Sequence, residues 1–95
     1  MKTFGIRGKL WRYPGVGAWH FVYVSKEISQ KIRDTKQMKK GSSFVRVRAT
    51  VGKTSWVTTL FPSKDGPYLL AIKADVRAKE NIAEGDQVAV SCTLL

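Results

Sequence analysis

Apolar and polar positions alternate with a period of two along much of this chain. In residues 4–12 the apolar side chains fall on one face, and the other face carries Arg7, Lys9 and Trp11. This period is that of a β-strand with one face against a core. The same alternation, or an unbroken apolar run, predicts further strands at residues 19–24, 44–51, 55–61, from 69 onward, and 88–94. The run at 19–24 is apolar on both sides, which predicts a central strand covered on both faces.

Two short amphipathic helices interrupt the strands. Ser25 is a good N-cap for a helix through about Asp34, with Glu27 near its positive end and Ile28 and Ile32 one turn apart. A similar helix follows residue 73. The predicted order of elements is β-β-α-β, repeated once.

The repeat is also visible in the residues themselves. Residues 21–32 are echoed by residues 69–80, 48 positions later (69 − 21), and each copy is an apolar run that turns into a helix with an acid near its start. Two copies are too few for a solenoid. We therefore predict a small, closed, mainly β barrel with a pseudo-two-fold axis, in one domain of residues 1–95 with halves of approximately 1–52 and 53–95.

Length and composition narrow the class of protein. A chain of 95 residues can build one modest core but not a separate catalytic domain. No apolar run approaches the roughly 18 residues of a membrane span, and residues 1–6 lack the apolar core of a signal peptide. The single cysteine, Cys92, alternates with valines, which is typical of a buried thiol in a reducing compartment. We expect a cytoplasmic protein that is not bound to a membrane.

Charge is the strongest functional clue. The net charge is +10, but residues 1–53 hold 13 basic and 2 acidic side chains, whereas residues 54–95 hold 4 and 5. This positive half would attract a polyanion, most plausibly nucleic acid, with Trp11 available to stack on a base. The alternative is that the charge serves only solubility. The candidate phosphate-binding residues are Arg7, Lys9, Arg12, Lys36, Lys39, Lys40, Arg46 and Arg48.

Aromatic residues provide a second hypothesis, in which the chain is a small-ligand or protein-interaction module. The predicted cleft consists of Trp11, His20, Ser55, Trp56, Tyr68 and Lys73. Large aromatic side chains also fill small barrels, and for Trp19 and Phe61 we expect core packing. Either a monomer or a homodimer is compatible with both hypotheses.

Catalysis has little support. His20 is the only histidine, and no Gly-x-Ser-x-Gly context accompanies Ser55 and Asp75 as partners in a triad. One histidine and one distant cysteine do not supply the three or four ligands of a zinc site. We expect no enzymatic activity, no metal and no cofactor.

The chain also resembles a known family. The motifs that carry the resemblance span most of the sequence and are residues 10–22, 45–52, 54–56, 60–62, 68–70 and 82–86. Together they are similar to the bacterial and archaeal family called domain of unknown function 1905. The resemblance implies a double-split β-barrel, distantly related to the DNA-binding barrels of AbrB-type regulators and MazE-type antitoxins. It implies no settled activity. Some members resemble a fusion with a second domain labelled as bacteriocin protection, which these 95 residues do not contain.

Residues 72–88 resemble the helix and Gly-Asp turn of the AbrB-type barrels. In that comparison Gly85 and Asp86 reverse the chain and Ile82 closes the end of the barrel, so these positions imply a fold and no ligand. AbrB-type barrels are generally built from two chains. The internal duplication would let one chain form the same barrel.

Overall fold

The computed structural model describes residues 3–15, 17–36, 44–63 and 67–95, with Lys36 described as backbone only. In this part of the chain the elements are β1 (Thr3–Lys9), β2 (Trp11–Arg12), β3 (His20–Tyr23), α1 (Lys26–Lys36), β4 (Val45–Val51), β5 (Thr54–Phe61), β6 (Leu69–Ala71), α2 (Ala74–Lys79) and β7 (Gln87–Leu94). The predicted order is confirmed with one difference. The first predicted strand is divided into β1 and β2 at Leu10.

All strands lie in one antiparallel sheet of order β1-β7-β4-β5-β6-β3-β2. Because only Leu10 separates β1 from β2, the two ends of this order are joined through the chain, and β1 also packs against β3. The buried Leu10 donates its N–H to the Asp86 carbonyl at 2.9 Å and accepts a hydrogen bond from the Gly85 N–H at 2.8 Å. The sheet is thus a nearly closed barrel, fixed at this bend by the turn before β7.

The two halves of the chain form equivalent strand pairs. In this equivalence β1 and β2 together correspond to β5, β3 corresponds to β6, and β4 corresponds to β7. The β1–β7 pair then becomes β5–β4, the β2–β3 pair becomes β5–β6, and all of these pairs are present. Each half completes the sheet of the other, which is the pseudo-two-fold arrangement expected from the duplicated sequence.

Alternation along the strands builds the core as the sequence predicts. The inward positions of β4 and β7 are all buried, including Cys92, which is inaccessible to solvent. Burial raises the pKa of the Cys92 thiol to about 12, so this group stays protonated at neutral pH. Ile32 of α1 and Val76 of α2 are 0% and 1% exposed and anchor the two helices to the barrel.

A buried serine connects α1 to the sheet, and the sequence pattern did not indicate it. The Ser29 hydroxyl accepts a hydrogen bond from the Tyr68 N–H at 3.0 Å and donates one to the Val24 carbonyl at 3.4 Å. Both ends of this bridge lie in the core, where an unpaired backbone group would be costly.

Neither helix of the described residues is long and apolar enough to cross a membrane.

Candidate functional site

The strands carry cations and no acids in the residues that the structure describes. Arg7 and Lys9 on β1 and Arg46 and Arg48 on β4 are exposed and point away from the core, as their alternation predicts. The acidic side chains in the described part of the chain lie on helices and turns: Glu27, Asp34, Asp75, Glu80, Glu84 and Asp86. In the part of the chain that the structure describes, none of these four cations forms an ion pair, and the outward positions of the strands carry positive charge alone.

The two cationic pairs lie on the same surface but are separated both across and along the sheet. Strand β7 separates β1 from β4, so the two strands are about 10 Å apart across the sheet. Thr93 of β7 pairs with Arg48 on one side and with Thr3 on the other, so Arg48 and Thr3 lie at the same level of the sheet. Arg7 is four residues further along β1. Arg7 and Arg48 are thus too far apart to hold one phosphate, and each would contact a different one.

The remaining predicted basic residues are less informative. Arg12 is exposed and pairs with His20 at the end of β2. Its side chain lies on the opposite face of the strand from Trp11. Lys39 and Lys40 lie outside the described residues, as does the side chain of Lys36. The structure thus gives positions for five of the eight candidate side chains.

A second feature covers the outer surface of β2, β3, β5 and β6. Seven of the ten aromatic residues form one network of ring contacts there, with centroid separations of 5.2 to 6.3 Å. We call this set the aromatic face, and its members are Trp11, Tyr13, Trp19, Phe21, Tyr23, Phe44 and Phe61. Tyr13, Trp19 and Tyr23 are about half exposed, at 53%, 52% and 50%.

The expectation that Trp19 and Phe61 fill the core is wrong. Phe61 pairs with Leu69 and Leu69 with Tyr23, in a row that points outward from the barrel. Trp19 lies on the same side of the chain as Phe21 and Tyr23, since the three are spaced by two residues. The predicted double coverage of β3 is confirmed at Phe21, which is 9% exposed on the outer face, but not at Tyr23, which is half exposed.

The predicted cleft of Trp11, His20, Ser55, Trp56, Tyr68 and Lys73 is not formed. Trp56 and Tyr68 point inward and are 8% and 0% exposed, so they belong to the core. Ser55 points outward on β5 and its hydroxyl bonds that of Thr50 at 2.8 Å. The inward and outward alternation of the strands thus divides the set between two sides of the sheet.

His20 and Lys73 of this set line one concavity, of about 200 Å³, together with Trp19 and Arg77. His20 donates its Nδ1–H to the Ala18 carbonyl at 2.7 Å, which fixes the ring against its own turn. The structure does not bring Ser55 and His20 into a hydrogen bond. In the described ranges, no group of three His, Cys, Asp or Glu side chains is placed to hold a metal ion.

A different concavity, of about 320 Å³, lies on the aromatic face. Its lining consists of Tyr13, Trp19, Phe21, Phe61 and Leu69. Sequence reasoning missed it because its residues come from four segments, and only the register of β2, β3, β5 and β6 places them side by side. The shared alternation of Trp19, Phe21 and Tyr23 is the one signal in the sequence that indicates an aromatic outer surface.

The turn between β2 and β3 positions the rim of this concavity. Tyr13 donates its N–H to the Trp19 carbonyl at 2.8 Å, so the two side chains emerge as neighbours. Gly17 has a φ of +98°, and a Cβ there would lie 3.0 Å from both Cδ1 and Nε1 of Trp19. A glycine at this position therefore gives the indole room to lie against Phe21, nearly parallel at 8° and 6.0 Å between centroids.

Trp11 lies deeper in the same face. Its ring stacks on Tyr23 at 5.2 Å, and its Nε1 is buried with no hydrogen-bond partner in the described structure. Trp11 is consequently less accessible than Trp19, although the sequence suggested Trp11 as the stacking residue.

The fold and the site can be compared with known proteins. No curated protein matches this chain at a significant level. A sequence profile described as "Domain of unknown function (DUF1905)" matches residues 7–92, nearly the whole chain, in agreement with the resemblance noted from its motifs. The protein therefore belongs to the family called domain of unknown function 1905.

Proposed function

We propose that this protein is a non-enzymatic binding module for nucleic acid, which it holds through phosphate contacts on the outer surface of its sheet. The observation that supports this most is the charge of the strands. In the described chain the outward positions of the strands carry four exposed cations, Arg7, Lys9, Arg46 and Arg48, and no acid. Such a surface attracts a polyanion, and the guanidinium group of arginine matches the geometry of a phosphate.

Arg46 and Arg48 are the best-placed pair. They occupy successive outward positions on β4, about 7 Å apart along the strand. Their partners across β5 are Thr59 and Val57, which bear no charge. Arg46 is two residues after Phe44 and therefore on the same side of the chain, so the cations border the aromatic face.

The proposal is tested by fluorescence anisotropy of labelled single- and double-stranded DNA and RNA, titrated with the protein between about 50 and 200 mM salt. We expect micromolar affinity at low salt and a linear fall of log K with log salt. With three or four cations engaged, the slope for a single strand is about −2 to −3. An absence of binding at about 50 mM salt contradicts the proposal, because phosphate contacts are strongest there.

The exposed aromatic face supports a second candidate, a protein-interaction module. Half-exposed tyrosine and tryptophan side chains are typical of interface centres. That function predicts a protein partner and no salt-dependent binding of oligonucleotides, so the same titration separates the two candidates.

A further inference from the structure

We infer that the concavity between Tyr13 and Trp19 is a stacking site for an unpaired base, which makes the ligand of this protein a single-stranded nucleic acid. This inference rests on the proposed function and adds to it the class of nucleic acid and the residues that select it.

The first argument is the geometry of the rings. A base stacks on an aromatic ring that is fixed from one side and open on the other. Trp19 meets both conditions, since it lies nearly parallel to Phe21 and is still 52% exposed. Phe61 contacts Phe21 edge to face at 6.3 Å and completes a rigid apolar floor.

The second argument is the charge beside the rings. Arg46 pairs with Thr59, two positions from Phe61 on the same side of β5. Lys73 lines the smaller concavity of about 200 Å³ together with Trp19, which also lines the aromatic concavity. A strand with one base over Trp19 would thus have Lys73 beside that base and Arg46 beyond Phe61, an arrangement that suits single-stranded nucleic acid.

The same features argue against a duplex in this site. In a double helix the faces of the bases are already stacked on one another, so an aromatic side chain gains a base only after unpairing, which costs a few kcal/mol. A single strand presents its bases without that cost. The apolar lining offers few groups to bind base edges, chiefly the Tyr13 hydroxyl and the Trp19 indole N–H, so we expect little preference among bases.

Charge also favours this ligand over a second copy of the chain. A symmetric dimer through the aromatic face would bring two surfaces together that each carry Arg46 and Arg48 and, in their described strands, no acid. Like charges across an interface are unfavourable. An anionic, planar ligand satisfies both the rings and the cations.

The test compares two oligomers of equal length and charge, oligothymidylate and the corresponding abasic strand, by competition anisotropy on the whole protein. Because one stacked base contributes about 1–3 kcal/mol, we expect the abasic strand to bind about 5- to 150-fold more weakly. Trp19→Ala should reduce the affinity for oligothymidylate to that for the abasic strand and leave the abasic strand unaffected. Gln30→Ala, an exposed position on α1 that neither lines the concavity nor pairs with a cationic strand residue, is the control and should change neither.

The outcomes separate this inference from the proposed function. Equal affinity for the two oligomers, with a steep salt slope, overturns the stacking site and leaves the phosphate contacts in place. A loss of affinity for both oligomers in Trp19→Ala also overturns it, because the residue then acts through the fold. If neither oligomer binds, both proposals fail. A dimer in sedimentation that Trp19→Ala dissociates would assign the face to a second copy and overturn the inference as well.

Discussion

Replacing Arg46 and Arg48 together by alanine is expected to weaken binding of a single-stranded oligonucleotide on the order of 10- to 100-fold at low salt. The slope of log K against log salt should also become less negative by about 1.4, since each lost phosphate contact on a single strand removes about 0.7. Both side chains are exposed and face uncharged partners on β5, so the fold should be retained. Anisotropy titrations at several salt concentrations measure both quantities.

A matched control removes the same charge from another element. Lys26→Ala with Lys31→Ala takes two cations from α1, where Lys31 pairs with Glu27 at 3.5 Å. We expect this variant to keep the wild-type salt slope and most of the affinity. If the helix variant loses as much as the β4 variant, net charge alone accounts for binding and the assignment to the outer sheet surface is wrong.

Trp56→Ala is expected to destabilise the protein by about 3–5 kcal/mol, the usual cost of removing a large aromatic side chain from a core. Trp56 is 8% exposed and pairs with Ala49 of β4 inside the barrel. Small domains are stable by only about 5–15 kcal/mol, so this change removes a large part of the total. Urea denaturation followed by circular dichroism measures it as a lower midpoint at an unchanged m-value.

Trp19→Ala provides the comparison for this prediction. Its ring is half exposed and packs mainly on Phe21, so its removal should cost about 1 kcal/mol. The two tryptophans thus have opposite expected roles, one in stability and one in binding. A Trp56→Ala variant with the wild-type midpoint would contradict the assignment of Trp56 to a packed core.

The sequence predicted the barrel well because its alternation is regular where strands are long. In β4 and β7 every inward position is apolar and buried, so the sequence alone indicated which residues of each strand face the core. The division at Leu10 was not predictable, because Leu10 keeps the apolar phase of β1 and the bend depends on contacts with Gly85 and Asp86. Those contacts join positions about 75 residues apart in the chain.

The candidate site was predicted only in part. The outward direction of Arg46 and Arg48 followed from alternation, whereas their proximity to the aromatic face required the pairing of β4 with β5 and of β5 with β6. Trp19 and Phe61 were assigned to the core because large aromatic side chains usually lie there. Alternation places Trp19 with Phe21 and Tyr23 on one side of β3, but both sides of this strand are apolar, so the pattern did not show which side faces the core.

The three tryptophans also provide the most direct test of the central claim, that the aromatic face and its bordering arginines bind single-stranded nucleic acid. Their indole N–H groups give separate signals in a ¹H–¹⁵N correlation spectrum of the labelled protein, one from the rim of the concavity, one from beneath it and one from the core. On titration with oligothymidylate, we predict a large shift of the Trp19 signal, a smaller shift of Trp11 and none of Trp56. An unchanged Trp19 signal when the protein is saturated with the oligonucleotide would contradict the account.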